Sequence, residues 1–173
     1  MRVVCFYVKL APETKAAIAA HAPQTEFVDT SADDYAYWRL LRQHWGGEDD
    51  LVVIEQDIEI TAEVLPSFAA CSENWCTYQY KQIYKSSVGM LSENLGCTRF
   101  SAQLMHDVPF PRASQWQFLD LAISSDIKMV TFSKTGMVFY PGMKGASGFM
   151  AAHVHGEVKH FHDERQLWHQ RTG

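Results

Sequence analysis

The sequence predicts an α/β protein, a three-layer α/β/α sandwich built around a mostly parallel central sheet. Three observations lead there. Leu51-Val52-Val53-Ile54 is an unbroken apolar run, the pattern of a strand covered on both faces. Strand-like and helix-like stretches alternate through residues 1–70, an order that builds parallel sheets with helices on either side. The chain has 173 residues, 47% hydrophobic and 20% charged, which suits one domain with a sizeable core.

The elements follow in chain order. Val3–Val8 reads as the first strand. Pro12 and Glu13 suit the first turn of a helix running to Ala20, because proline tolerates that position and a carboxylate favours it. Thr25–Val28 is a short second strand. Tyr35–Trp45 carries Tyr37, Leu40, Leu41 and Trp45 at helical spacing, and Gly46-Gly47 ends that helix. The apolar strand at Leu51 comes next, then a third helix from Thr61 or Glu63 to Ala70. Cys71–Ser87 is rich in aromatic and polar residues and reads as a loop or irregular strand. Leu95–Phe100 is extended. Ser101 starts a short helix to His106. Ser114-Gln115-Trp116-Gln117 matches a capping box that opens a helix through about Ser124. Met129–Phe132 and Met137–Tyr140 read as strands, followed by a permissive loop with Gly142, Gly145 and Gly148.

Composition excludes several classes. No apolar run approaches the roughly 20 residues of a membrane helix. The amino terminus lacks a secretory pattern, so the expected compartment is the cytoplasm. A net charge of −5 argues against a broad basic groove for nucleic acid. No two of Cys5, Cys71, Cys76 and Cys97 have C-x-x-C spacing, which argues against a zinc ribbon and for free thiols. The glycines do not sit between a strand and a helix in the dinucleotide pattern, and no Walker-type phosphate loop occurs.

Chemistry concentrates at two places. The apolar strand runs into Glu55-Gln56-Asp57, at the kind of strand end where open α/β sheets bind ligands. Alternation aims Glu55 and Asp57 the same way, two oxygen donors for a hard divalent cation. The second place is His153-Val154-His155-Gly156-Glu157-Val158-Lys159-His160-Phe161-His162. A two-residue turn at Gly156-Glu157 would put His153, His155, His160 and His162 on one face of a hairpin. One or two of these imidazoles could then join Glu55 and Asp57.

An apolar strand ending in Glu55-Gln56-Asp57, with His153 or His155 far downstream, resembles the GT-A class of glycosyltransferases. Trp75-Cys76, Leu95-Gly96-Cys97, the helix Trp116–Asp120 and the terminal His-x-His fit the same resemblance to small bacterial and phage enzymes. Two departures stand out: the first carboxylate is Glu rather than Asp, and the chain is short for the class. The resemblance implies a Rossmann-like GT-A fold over residues 1–173, with a nucleotide-binding half (1–70) and an acceptor- and metal-completing half (71–173). It implies a metal-dependent hexosyl- or pentosyltransferase using a UDP- or GDP-sugar, with Mn²⁺ or Mg²⁺ on the donor diphosphate. The acceptor hydroxyl could belong to a glycan, a protein or a modified nucleic acid, and missing acceptor elements could come from a homo-oligomer. Asp57 is then the first metal ligand and Glu55 a second ligand or a donor contact. His155, then His153, completes the shell.

An inverting enzyme needs a base for the acceptor proton. Asp120, one helical turn after Trp116, is that candidate, and Asp107 the second choice. Tyr7, Tyr35, Arg39, Gln56 and Lys144 are candidates for donor contacts, with Arg99 a further phosphate ligand. A competing expectation is a hydrolase or oxygenase that holds Zn²⁺ or Fe²⁺ on the histidine hairpin. A third is a binding module with surface histidines.

Overall fold

The structure is a computed structural model describing residues 1–84, 87–91, 94–135 and 152–161, with 82–91 and 131–135 described by backbone alone. Its main sheet contains β1 (Arg2–Tyr7), β2 (Glu26–Asp29), β3 (Leu51–Glu55), β5 (Trp75–Tyr84), β6 (Ser87–Leu91), β7 (Cys97–Phe100) and β8 (His153–Glu157). The order is β2-β1-β3-β7-β5-β6, with β8 also paired to β5. β2, β1 and β3 are parallel; β7 runs against both β3 and β5, so β5 returns to the first direction, as does β8. The sheet is therefore mixed but mostly parallel. A separate small ribbon pairs β4 (Ile58–Glu59) with β9 (Lys159–His160). The helices are α1 (Pro12–His21), α2 (Ala36–His44), α3 (Val64–Ala70), α4 (Ala102–Asp107) and α5 (Trp116–Thr135).

Alternation along β1 and β3 sorts their side chains onto two cores. Val4, Phe6, Leu51 and Val53 join Tyr37 and Leu41 of α2, Leu104 of α4, and Leu119, Ile123 and Ile127 of α5. Cys5, Val52 and Ile54 join Ile18 of α1 and Val64 and Phe68 of α3. This is the three-layer arrangement expected of a strand apolar on both faces. β5 and β7 share the sheet with β1–β3, so the segments before and after residue 70 build one sheet.

Several local expectations are met. Pro12 opens α1. Gly46 follows α2 with φ +82°, a left-handed geometry that glycine adopts without penalty. The Ser101 hydroxyl accepts the Leu104 amide at 3.1 Å and caps α4.

Others are narrowed or corrected. Of the two readings of the aromatic-rich segment, loop or irregular strand, the strand holds: Trp75–Tyr84 is one continuous strand of ten residues. Its aromatics alternate, with Trp75 on one core and Tyr78 and Tyr80 on the other, so they are packing residues rather than loop residues. Met129–Phe132 belongs to α5, which continues to Thr135. Leu119, Ile123 and Ile127 repeat at helical spacing on its buried face, and that period overrides the β-branched local composition. The Ser114 hydroxyl donates to the Gln115 carbonyl instead of making a capping-box bond to an amide. Gly156-Glu157 makes no hairpin turn: β8 runs through both residues along β5, and the Val158 amide donates to Gln79 O at 3.0 Å. Backbone groups that a hairpin would have paired internally are taken by an existing sheet strand. Met137–Tyr140, the glycine loop with Lys144, and His162 lie outside the described residues.

Candidate functional site

β3 carries its apolar run to the sheet's carboxyl edge and releases charge there. The Glu55 carboxylate accepts the Tyr37 hydroxyl at 3.1 Å. Gln56 is buried, and its side-chain oxygen accepts the amides of Val8 (2.7 Å) and Lys9 (2.8 Å), fixing the turn from β1 to α1. This engagement makes Gln56 a brace of the turn between β1 and α1. Asp57, 9% exposed, lies within 3.1 Å of His160 through Oδ2 and Nε2. The β4–β9 ribbon makes this meeting: Ile58 pairs with His160, and the Phe161 amide donates to Asp57 O at 2.7 Å. Tyr80 packs against the His160 ring at 4.7 Å between centroids.

Asp120 joins this edge from α5, its carboxylate accepting the Leu95 amide at 3.0 Å. Burial, then the charges of Asp120 and Asp57, hold the Glu55 carboxyl well above the usual range. Burial also pushes Asp120 up to about 6, against the opposing pull of the Leu95 N–H. The hydroxyls of Tyr37 and Tyr80 are held protonated by burial and by the same acids. Cys5 behind the cluster is raised to about 12 by burial, Glu55 and Asp57. Like charges gathered in a poorly solvated place resist joint ionisation. They accept protons or a cation instead.

The imidazole that meets the acidic triplet is thus His160 and not His155 or His153. Those two occupy a second cluster with Cys71 and Cys76, whose four ligand atoms lie within 4.8 Å of one another. β8 pairs Thr77 with Val154 and Tyr78 with Gly156, leaving His155 as the extra residue of a bulge. The bulge brings the rings of His153 and His155 to 4.5 Å between centroids. Cys71 Sγ lies 3.3 Å from His153 Nδ1. Burial, then His153 and Arg99, lowers the pKa of His155. Among the described residues, His153 and His155 are grouped with the sulfurs of Cys71 and Cys76, and no carboxylate joins that group.

Tyr7 ends β1 with its ring edge-on to Phe27, at 6.5 Å between centroids. Tyr35 is 42% exposed at the start of α2. β2 parallels β1, so Tyr7 and the β2–α2 connection holding Tyr35 share the sheet's carboxyl edge with Glu55. Arg39 is tied to Asp33 by two hydrogen bonds of 3.0 and 2.7 Å at the surface. Arg99 is not a phosphate ligand: it is 6% exposed and donates to Asp50, Cys71 O, Glu73 O and Cys76 Sγ. Asp107 ends α4, while Asp120 is the carboxylate placed among the acids. Two contributors escaped sequence reasoning. Tyr37 has the spacing of a core residue and gives no sign of its hydroxyl contact, and the grouping of Cys71 and Cys76 with the histidines is hidden by their separation in sequence. No helix among the described residues is long and apolar enough to cross a membrane. No protein-family model matches the chain, and neither curated proteins nor solved structures provide a match.

Proposed function

We propose that the protein is a metal-dependent glycosyltransferase of GT-A type, moving a sugar from a nucleotide-sugar donor to an acceptor hydroxyl. The observation that carries this reading is the 3.1 Å approach of Asp57 Oδ2 to His160 Nε2 at the end of β3. Adjacent ligands of a six-coordinate cation, each about 2.1 Å from it, are about 3.0 Å apart, so the two atoms fit as neighbours in one shell. Mixed oxygen and nitrogen donors suit Mn²⁺, with Mg²⁺ the alternative. Glu55, tethered by Tyr37, is the remaining acid of the triplet and a ligand or donor contact.

A cation bound by Asp57 and His160 would supply charge stabilisation to the leaving diphosphate. The protein's own residues supply the rest. Tyr7 and Tyr35 offer aromatic surface to the donor base at the same sheet edge. Asp120 takes the acceptor's hydroxyl proton as the new bond to the anomeric carbon forms and the diphosphate departs. A pKa of about 6 suits this task, since the carboxyl is ionised near neutrality yet more basic than an ordinary aspartate. Trp116, one turn earlier on α5, gives the acceptor an apolar wall. This assignment belongs to an inverting reaction.

Thermal unfolding in the presence of UDP, GDP, CDP or ADP, each with and without Mn²⁺, tests the reading. Stabilisation by one nucleotide only when Mn²⁺ is present is expected. Asp57→Ala should abolish that joint effect, weakening metal-dependent nucleotide binding by at least about 100-fold. Undiminished binding in the variant would count decisively against the reading.

A further inference from the structure

We infer that Cys71, Cys76, His153 and His155 form a structural zinc site that fastens β8 to the body of the sheet. The inference stands apart from sugar transfer. Cys71 follows α3, Cys76 lies in β5, and both histidines come from β8, so the cluster joins three elements distant in sequence. Cys76 and His153 are directly paired across β5 and β8. The two thiols are free rather than disulfide-bonded.

The donor set selects the ion. Two thiols and two imidazoles are the ligands of closed tetrahedral zinc sites, with bonds near 2.3 Å to sulfur and 2.0–2.1 Å to nitrogen. Such bonds separate the ligand atoms by about 3.3–3.8 Å. The four atoms here lie within 4.8 Å of one another, and the Cys71–His153 pair is already at 3.3 Å. A small closing movement completes the shell. Oxygen-preferring Mg²⁺ is a poor match for two sulfurs.

A second observation points to the same ligand. His155 Nε2 is buried and has no hydrogen-bond partner. Buried polar atoms are ordinarily satisfied, and a lone pair aimed at a metal accounts for this one. Its ring is held by Tyr78, stacked at 5.8 Å and 21°, and by the edge of Phe68 at 5.7 Å. An Arg99 N–H reaches Cys76 Sγ at 3.2 Å and fixes the position of that sulfur. Zn²⁺ with two thiolates and two neutral imidazoles carries no net charge, and binding releases the two thiol protons to solvent.

The test uses the full chain. After expression with zinc and exhaustive desalting, elemental analysis should find one zinc per chain. Removing it with a strong chelator and refilling with Co²⁺ should give thiolate-to-cobalt charge transfer and the intense visible bands of tetrahedral coordination. Cys71→Ser and His155→Ala should each weaken zinc retention at least about tenfold, while Asp57→Ala keeps it. A zinc-loaded wild-type chain that emerges without zinc, or a Co²⁺ spectrum without sulfur charge transfer, overturns the proposal. Both readings come from the wild-type chain and do not depend on a variant folding.

Discussion

His155 and His160 lie five positions apart on one segment, yet they enter opposite chemical worlds. His155 sits among sulfur, in a bulge of β8 against β5. His160 sits among carboxylates, delivered by the β4–β9 ribbon to Asp57. The sequence between them barely differs in composition; the strand partner decides the assignment. Soft donors gathered in a closed shell suit a structural ion, whereas oxygen donors at a sheet's carboxyl edge suit an ion that shares its shell with substrate. The two clusters are also coupled, because the strand held by the first leads directly into the ribbon that carries His160.

The widest gap between them should appear in turnover. Asp120→Asn keeps an oxygen that can accept the Leu95 amide but loses the basic carboxylate. Transfer should fall by about 10²–10⁴-fold, the usual contribution of general base catalysis. Donor affinity and zinc content should stay near wild type. Steady-state kinetics with the identified donor, alongside nucleotide titration, separates the two effects. Retained turnover removes Asp120 from the reaction and leaves the acid cluster without a base.

A smaller, crossed effect sharpens the assignment of the imidazoles. His160→Ala should weaken Mn²⁺-dependent nucleotide binding by about 10–100-fold while leaving zinc in place. His155→Ala should lose zinc first and affect nucleotide binding only through the position of β9. Calorimetric nucleotide titration and elemental analysis on the same two preparations give a two-by-two outcome. Identical losses in both variants would merge the clusters into one site and end the comparison.

How much of this could be read beforehand varies by element. The strand Leu51–Glu55, its flanking helices and its layer order were legible because burial on both faces leaves an unbroken apolar run. The acidic strand end is conspicuous because charge rarely ends such an apolar run. Asp120 is singled out instead by its place one helical turn after Trp116, and the fold sets it beside Glu55. What was not legible is pairing between distant strands. Local alternation at His153–His162 fits a hairpin as well as it fits two strands entering different sheets, and only the open edges of β5 and β4 choose between them. The same ignorance hid the zinc ligands: Cys71-x-x-x-x-Cys76 lacks ribbon spacing, and its partners come 77 positions after Cys76. The regularity of Trp75–Tyr84 is hidden in the sequence because aromatics that alternate between two cores look irregular when neither core is known.

The smallest expected effect concerns stability, and its sign follows from Asp120 alone. Its carboxyl is raised from 3.8 to about 6 in the folded chain, chiefly by burial. Between those values the folded protein keeps a proton that the unfolded chain releases. The associated stability is complete below about pH 4 and is lost as pH rises through about 6. A rise from 3.8 to about 6 corresponds to on the order of 1–3 kcal/mol. Asp120→Asn removes that cost, so the variant should gain up to this amount at pH 8 and little at pH 4, measured by urea unfolding without added Mn²⁺. Glu55 shifts in the same direction, so part of the slope should survive in the variant. On the proposed reading this is a trade: a partly buried carboxylate, made more basic for its task, weakens the fold at the pH where it would work. A variant no more stable than wild type at pH 8 would mean that Asp120 is comfortably solvated, and with that its raised basicity would go.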